Sequence, residues 1–185
     1  MKIATYNLRC GGKPDKRVHW TQLFEVANPD IFLVQETCQP EQYVSSQFWD
    51  VHRDRVHWAR VEANAWGSAV WVRSGMVRKL DVPQFEGSVV GVEVEGFDCP
   101  PSCGRKLRIF SLHAPAPYRG SVSRILDWIA SLPPNVDLII GGDFNLTVGV
   151  RHPGEEQQDA DLWLLERLRQ EFGLISCWQA ANPKP

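Results

Sequence analysis

Four short apolar runs, each rich in strand-forming residues and each ending on a polar side chain, constrain this chain more than any other feature. Ile3-Ala4-Thr5-Tyr6 ends in Asn7, Ile31-Phe32-Leu33-Val34 ends in Gln35-Glu36, and Leu107-Arg108-Ile109-Phe110-Ser111-Leu112 ends in His113. The fourth, Leu138-Ile139-Ile140, breaks at Gly141-Gly142 and presents Asp143 and Asn145 on either side of Phe144. Runs of this length read as strands buried on both faces. A glycine pair lets the backbone turn without a Cβ penalty. The two-residue period keeps Asp143 and Asn145 on one side of that corner. Four strand ends therefore carry an amide, a carboxylate, an imidazole and an Asp/Asn pair, a set suited to a metal-bound phosphate.

The segments between these runs alternate helix and strand. The strand Lys2–Tyr6 leads through a loop at Arg9–Lys16 to a helix over His19–Ala27, which Asn28-Pro29-Asp30 ends. Gly67–Arg73, Val77–Val82, Ser88–Val94 and Lys106–Leu112 read as middle strands joined by hairpins. Ser121–Leu132 places Val122, Ile125, Ile129 and Leu132 on one helical face, with Ser121 as the cap and Pro133-Pro134 as the stop. Asp159–Phe172 is a second amphipathic helix that Gly173 ends, and Leu174–Trp178 reads as one more short strand. Helices and strands interleaved around an antiparallel middle predict mixed sheets with helices on their outer faces, a layered α/β sandwich.

Size and composition narrow the class. A chain of 185 residues with 43% hydrophobic content predicts a single domain, 1–185, with one sizeable core. A net charge of −2 gives no global field for a polyanion, so nucleic acid binding needs a local basic patch or a metal. Arg9, Lys13, Lys16 and Arg17 form such a patch just after Asn7, and Arg119 and Arg151 follow His113 and Asn145 within reach of a phosphate. No stretch is long and apolar enough for a membrane span, and the N-terminus reads as a strand and not as a signal peptide, so the cytoplasm is the expected compartment. Five cysteines at irregular spacing fit reduced thiols. Cys99 and Cys103 sit in a proline-rich segment that reads as a hairpin tip and lack the further ligands of a zinc site. Trp66 and Trp71, bracketing a strand, read as core packing ahead of a base-stacking platform.

Hydrolysis of a phosphate ester accounts for the polar set. A hard cation such as Mg²⁺ takes oxygen ligands and one or two protein carboxylates, and Glu36 is the natural one. Asp143 suits the orientation or deprotonation of water, and Asn7, Asn145 and His113 suit the holding of phosphate oxygens.

The segments Ala4-Thr5-Tyr6-Asn7-Leu8, Val34-Gln35-Glu36-Thr37, Ser111-Leu112-His113-Ala114-Pro115 and Gly141-Gly142-Asp143-Phe144-Asn145 occur in an order and separation that resembles the endonuclease/exonuclease/phosphatase superfamily. That group includes DNase I, exonuclease III-type nucleases and inositol polyphosphate 5-phosphatases. The resemblance implies a DNase I-like four-layer α/β sandwich and metal-dependent cleavage of phosphoesters, with Mg²⁺ as the cofactor and Mn²⁺ as its alternative. It implies Glu36 as metal ligand, Asn7 as an active-site amide near metal and phosphate, His113 as a phosphate-binding or acid-assisting group, and Asp143 with Asn145 as the water-orienting pair.

Family members usually close with a strand and Ser-Asp-His, whereas the last histidine of this sequence is His152, in the loop after Asn145 and itself a candidate substrate contact. The resemblance thus implies a chain short of its closing strands and weak turnover on its own. Phosphodiester hydrolysis of nuclease type, with DNA or RNA as substrate, is the leading expectation. The alternatives are a phosphomonoesterase acting on small molecules or lipid head groups, and an impaired remnant that binds metal or nucleic acid without turnover.

Overall fold

The computed structural model describes residues 1–11, 18–97, 104, 106–146 and 161–181. Contacts divide the chain into two compact units, one comprising 1–115 with 133–144 and the other 116–132 with 145–185.

The first unit holds two four-stranded mixed sheets. One is built from β1 (Ile3–Gly11), β2 (Ile31–Cys38), β3 (Val56–Arg60) and β4 (Trp66–Val72) in the order β1-β2-β4-β3. The other is built from β5 (Met76–Lys79), β6 (Val89–Glu95), β7 (Lys106–His113) and β8 (Asp137–Asp143), in sequential order. In each sheet the pair ending at the polar motifs is parallel, β1 with β2 and β7 with β8, and the remaining pairs are antiparallel. Parallel neighbours leave their C-terminal ends on the same side, which is why Asn7 and Glu36 leave one sheet edge together and His113 and Asp143 the other.

The sheets face each other through one core. Ile31, Leu33, Val70 and Val72 pack against Val90, Val92, Val94 and Ile109, all of them 0–1% exposed. Each such side chain contributes roughly 1.5–3 kcal/mol of burial, so this core dominates the unit's stability. The other face of the first sheet is covered by α1 (Val18–Ala27), whose Trp20, Leu23 and Phe24 pack on Phe32, Val34, Ala69 and Trp71. The ring of Phe24 stands 4.5 Å from that of Trp71 and edge-on to it. Trp71 is therefore core, as its sequence setting suggests. The helix ends where Asn28 adopts φ 40° and its N–H bonds back to Phe24 O, directly before Pro29. Two short helices, α2 (Pro40–Tyr43) and α3 (Ser46–His52), follow β2, and Ser45 caps α3 by accepting from Phe48 N.

The second unit contains α4 (Tyr118–Ala130), α5 (Leu162–Phe172) and α6 (Cys177–Ala181). Arg167 on α5 ties it to α4 by donating to Ser123 O at 3.1 Å and Ser123 Oγ at 3.0 Å and by pairing with Asp127. α5 ends at Gly173 in the left-handed conformation, φ 66°, as a helix C-terminus favours.

Three expectations shift. The strands run past the apolar residues into the motifs, as β1 and β8 do. α4 starts at Tyr118 and not at Ser121, because Pro117 takes the cap position and its carbonyl accepts from Ser121 N; Ser121 is thereby buried inside the helix. The strand expected at Leu174–Trp178 is absent from both sheets, and its end forms the start of α6, with Ala180 N bonded to Ser176 O. A strand without a ladder partner leaves its backbone polar groups unpaired, and a helical turn satisfies them locally. The expected loop residues Lys13, Lys16 and Arg17 and the Cys99–Cys103 turn lie outside the described residues.

Candidate active site

Two facing bulges assemble the site. Along β2, Leu33 and Gln35 point to the space between the sheets while Val34 points to α1, so a regular strand would send Glu36 to the α1 side. The ladder instead slips between Val34 and Thr37, and Glu36 sits there at φ 49°. The extra residue leaves Thr37 on the α1 side, where Trp20 Nε1 donates to Thr37 Oγ1 at 2.8 Å, and frees Glu36 to turn toward Asn7. β1 slips at the matching level, between Asn7 and Gly11, with Arg9 at φ 49° and Cys10 at φ 57°. Left-handed backbone at non-glycine residues costs on the order of 1 kcal/mol each, and a bulge that re-aims a side chain is where such cost is tolerated.

The convergence is tight. Asn7 Nδ2 donates to Glu36 Oε1 at 2.9 Å and to Asp143 Oδ2 at 2.8 Å, so one amide joins carboxylates from the two sheets. Its oxygen accepts from Arg9 N at 2.7 Å, which fixes the amide's orientation. His113 Nε2 lies 3.2 Å from the same Glu36 Oε1, and Cys10 Sγ lies 3.4 Å from Glu36 Oε2. Ligand atoms of Glu36, His113 and Asp143 all fall within 4.8 Å of one another, in reach of a single cation. The side chains of His113 and Glu36 are 13% and 19% exposed, open to a ligand yet shielded enough to strengthen electrostatic contacts.

A polar strut between the sheets holds the geometry. Buried Gln35 donates from Nε2 to Ser111 Oγ at 3.0 Å, and Ser111 Oγ in turn bonds Val34 O at 3.2 Å. Ser111 and His113 share a strand face, so this strut sets the height of the imidazole relative to Glu36. Ala114 N bonds Asp143 O at 2.9 Å, and Trp66 stands edge-on to the His113 ring at 5.2 Å. Gly142, at φ 142°, lies so close to β7 that no side chain fits, which keeps Asp143 in register with His113.

Asn7, Glu36, His113 and Asp143 are thus brought together. Asn145, at φ 52°, follows Asp143 by two residues and is the first residue of the second unit's later segment, 145–185. Arg9 is exposed beside Asn7. Arg119 belongs to the second unit and pairs there with Asp161 at 2.8 Å, while Arg151 and His152 lie outside the described residues. Cys10 and Trp66, which no motif marks, and Gln35 and Ser111, which stand inside the motifs but received no role from the sequence, also contribute to the site. Only the bulges and the facing sheet bring them in.

Comparison with known proteins agrees with this architecture. The crystal structure of humanized D. rerio TDP2 carrying 14 mutations superimposes with a TM-score of 0.52 at 15% sequence identity, over 80% of this chain and 63% of that one. The present chain therefore spans less than two thirds of that protein's length. The likeness shows the fold, a DNase I-like α/β sandwich of two mixed sheets. No curated protein sequence matches the chain. Residues 4–168 match the model of the Endonuclease/Exonuclease/phosphatase family, a span that contains every residue of the converged site, and the chain belongs to that family.

Proposed function

We propose that this protein is a divalent-metal-dependent phosphoesterase, and within that class a phosphodiester hydrolase of nuclease type. The observation that carries the reading is the approach of Glu36, His113 and Asp143, from three different strands, to within 4.8 Å. Two carboxylate side chains bridged by an amide, with one imidazole alongside, fit Mg²⁺ and equally Mn²⁺, which accepts nitrogen more readily. Glu36 would hold the ion, with Asn7 beside it. A bound divalent cation supplies charge to neutralise the phosphate and to polarise it toward attack.

The chain's own groups divide the remaining work. Asp143 accepts a hydrogen bond from Asn7 at 2.8 Å on Oδ2 and can use its other oxygen to orient the attacking water. His113, whose Nε2 stands 3.2 Å from Glu36 Oε1, is placed to donate from that nitrogen to a phosphate oxygen, where it would screen developing charge. Asn145 is the matching donor carried just beyond Asp143. Arg9, exposed beside the site, suits a neighbouring phosphate along a polymer, which favours a diester chain over a small monoester.

The test is hydrolysis of bis(p-nitrophenyl) phosphate and of plasmid DNA, with a phosphomonoester and an inositol phosphate as comparisons, each with Mg²⁺, with Mn²⁺ and with EDTA. Diester cleavage that needs the metal and is lost in Glu36→Gln and Asp143→Asn is expected. Undiminished cleavage in EDTA, or by both variants, overturns the reading, and cleavage of the monoesters alone moves it to the phosphatase branch.

A further inference from the structure

We propose that Cys10 is a positioning residue whose thiol holds the Glu36 carboxylate in its metal-receiving orientation. The inference deepens the phosphoesterase reading and rests on it for its functional consequence, though not for its geometry.

Glu36 is gripped from two sides. Oε1 receives Asn7 Nδ2 from the same sheet at 2.9 Å and faces His113 Nε2 of the second sheet at 3.2 Å. Oε2 faces the opposite way and meets Cys10 Sγ at 3.4 Å, within the range of an S–H···O bond. A carboxylate held through one oxygen can still swing about its last side-chain torsion, which is broad and soft. A donor on the second oxygen removes that freedom.

The chain is shaped to deliver this donor. Cys10 reaches Glu36 only because β1 bulges between Asn7 and Gly11, and both bulge residues, Arg9 and Cys10, adopt left-handed backbone that a β-strand does not otherwise require. Glu36 itself lies in the facing bulge at φ 49°. The two irregularities bring a thiol and a carboxylate together from strands whose regular pairing would separate them. A weak donor is well matched to a metal ligand, because it orients the carboxylate without competing with a cation as an ammonium or guanidinium would.

The conservative variant Cys10→Ser keeps a hydroxyl donor, and Cys10→Ala removes the donor without placing a β-branched side chain on left-handed backbone. Crystal structures of both variants, without metal, report the Glu36 rotamer directly. We expect Glu36 to leave its present orientation, or to occupy several, in Cys10→Ala and to keep it in Cys10→Ser. Mn²⁺ binding measured by electron paramagnetic resonance should weaken by about tenfold in Cys10→Ala, equivalent to about 1.4 kcal/mol, and recover most of the loss in Cys10→Ser. An unchanged Glu36 rotamer in Cys10→Ala overturns the inference whatever the metal does, and so does equal weakening in both variants. Failure of the parent protein to bind Mn²⁺ would count against the phosphoesterase reading alone, because the rotamer still decides the role of Cys10. Should Cys10→Ala not fold, Cys10→Gly, at ease at this φ, serves as the donor-free variant under the same criteria.

Discussion

Gly142→Ala probes the scaffold where it is tightest. A Cβ added at Gly142 would stand 2.0 Å from Leu112 O and 2.8 Å from Leu112 C and N, all backbone atoms of the neighbouring strand. Relieving those contacts requires β7 and β8 to part by more than about 1 Å, which parallel strands locked at a spacing of about 4.8 Å cannot do without losing ladder hydrogen bonds. Overpacking of this kind costs roughly 1–3 kcal/mol, and the φ of 142° adds strain of similar order for any L side chain. The expected loss is about 3–5 kcal/mol, a large share of the roughly 5–15 kcal/mol that holds a domain together. Gly141→Ala is the internal control, because its Cβ would meet only Leu33 Cδ1, at 2.5 Å, the tip of a side chain that can rotate away. That substitution should cost about 1–2 kcal/mol. Urea unfolding of the two variants measures both values. A Gly142→Ala loss below about 1 kcal/mol, or one equal to that of Gly141→Ala, would refute the argument that backbone approach at this position keeps Asp143 opposite His113.

Two further perturbations address the charges inside the fold. Burial, and then the positive charge of Lys79, lower the pKa of His57 from its ordinary 6.5, so the folded state prefers neutral imidazole and stability should fall as pH drops below about 6.5 toward the lowered value. The urea midpoint measured at pH 7.5 and 5.5 should decrease, less steeply in His57→Leu; a midpoint that rises on acidification contradicts the assignment. Burial pushes Glu93 up, but hydrogen bonds from Arg108 and Arg78 outweigh it and hold the carboxyl below its ordinary value, so its contribution is present above about pH 4.5 and is lost as pH falls through the lowered value. Glu93→Gln leaves the buried Arg108 guanidinium without its charged partner at 3.0 Å and should cost about 3 kcal/mol at neutral pH. A loss under about 1 kcal/mol in thermal or urea unfolding would show that Pro133 O, which also accepts from Arg108, satisfies it alone.

The sheets and the four motifs were legible because apolar runs such as 31–34 and 107–112 have the length and β-branching of buried strands, and because each ends on chemistry-bearing residues. Strand ends were less so. The apolar pattern of β1 stops at Tyr6 although hydrogen bonding carries it to Gly11, since an edge strand next to a site is under no pressure to stay apolar. The bulges were invisible for a physical reason: Arg9, Cys10 and Glu36 are ordinary residues in left-handed backbone, a choice imposed by the opposing strand and not by local preference. Strict alternation would place Glu36 away from Asn7, so the motif marked Glu36 correctly while the two-residue period could not explain how it arrives. Cys10, Gln35, Ser111 and Trp66 act through contacts from distant segments, which no local pattern encodes. Leu174–Trp178 misled because its composition suits a strand, while strand formation also needs a neighbour to pair with.

Mn²⁺ titration of the protein beside Glu36→Gln and Asp143→Asn, followed by electron paramagnetic resonance, tests the central claim most directly. The convergence of Glu36, His113 and Asp143 predicts one strong site that weakens by at least about a hundredfold, about 2.7 kcal/mol, when Glu36 is neutralised, and by less when Asp143, the water-orienting group, is. Binding of the same strength and stoichiometry in all three proteins would contradict it.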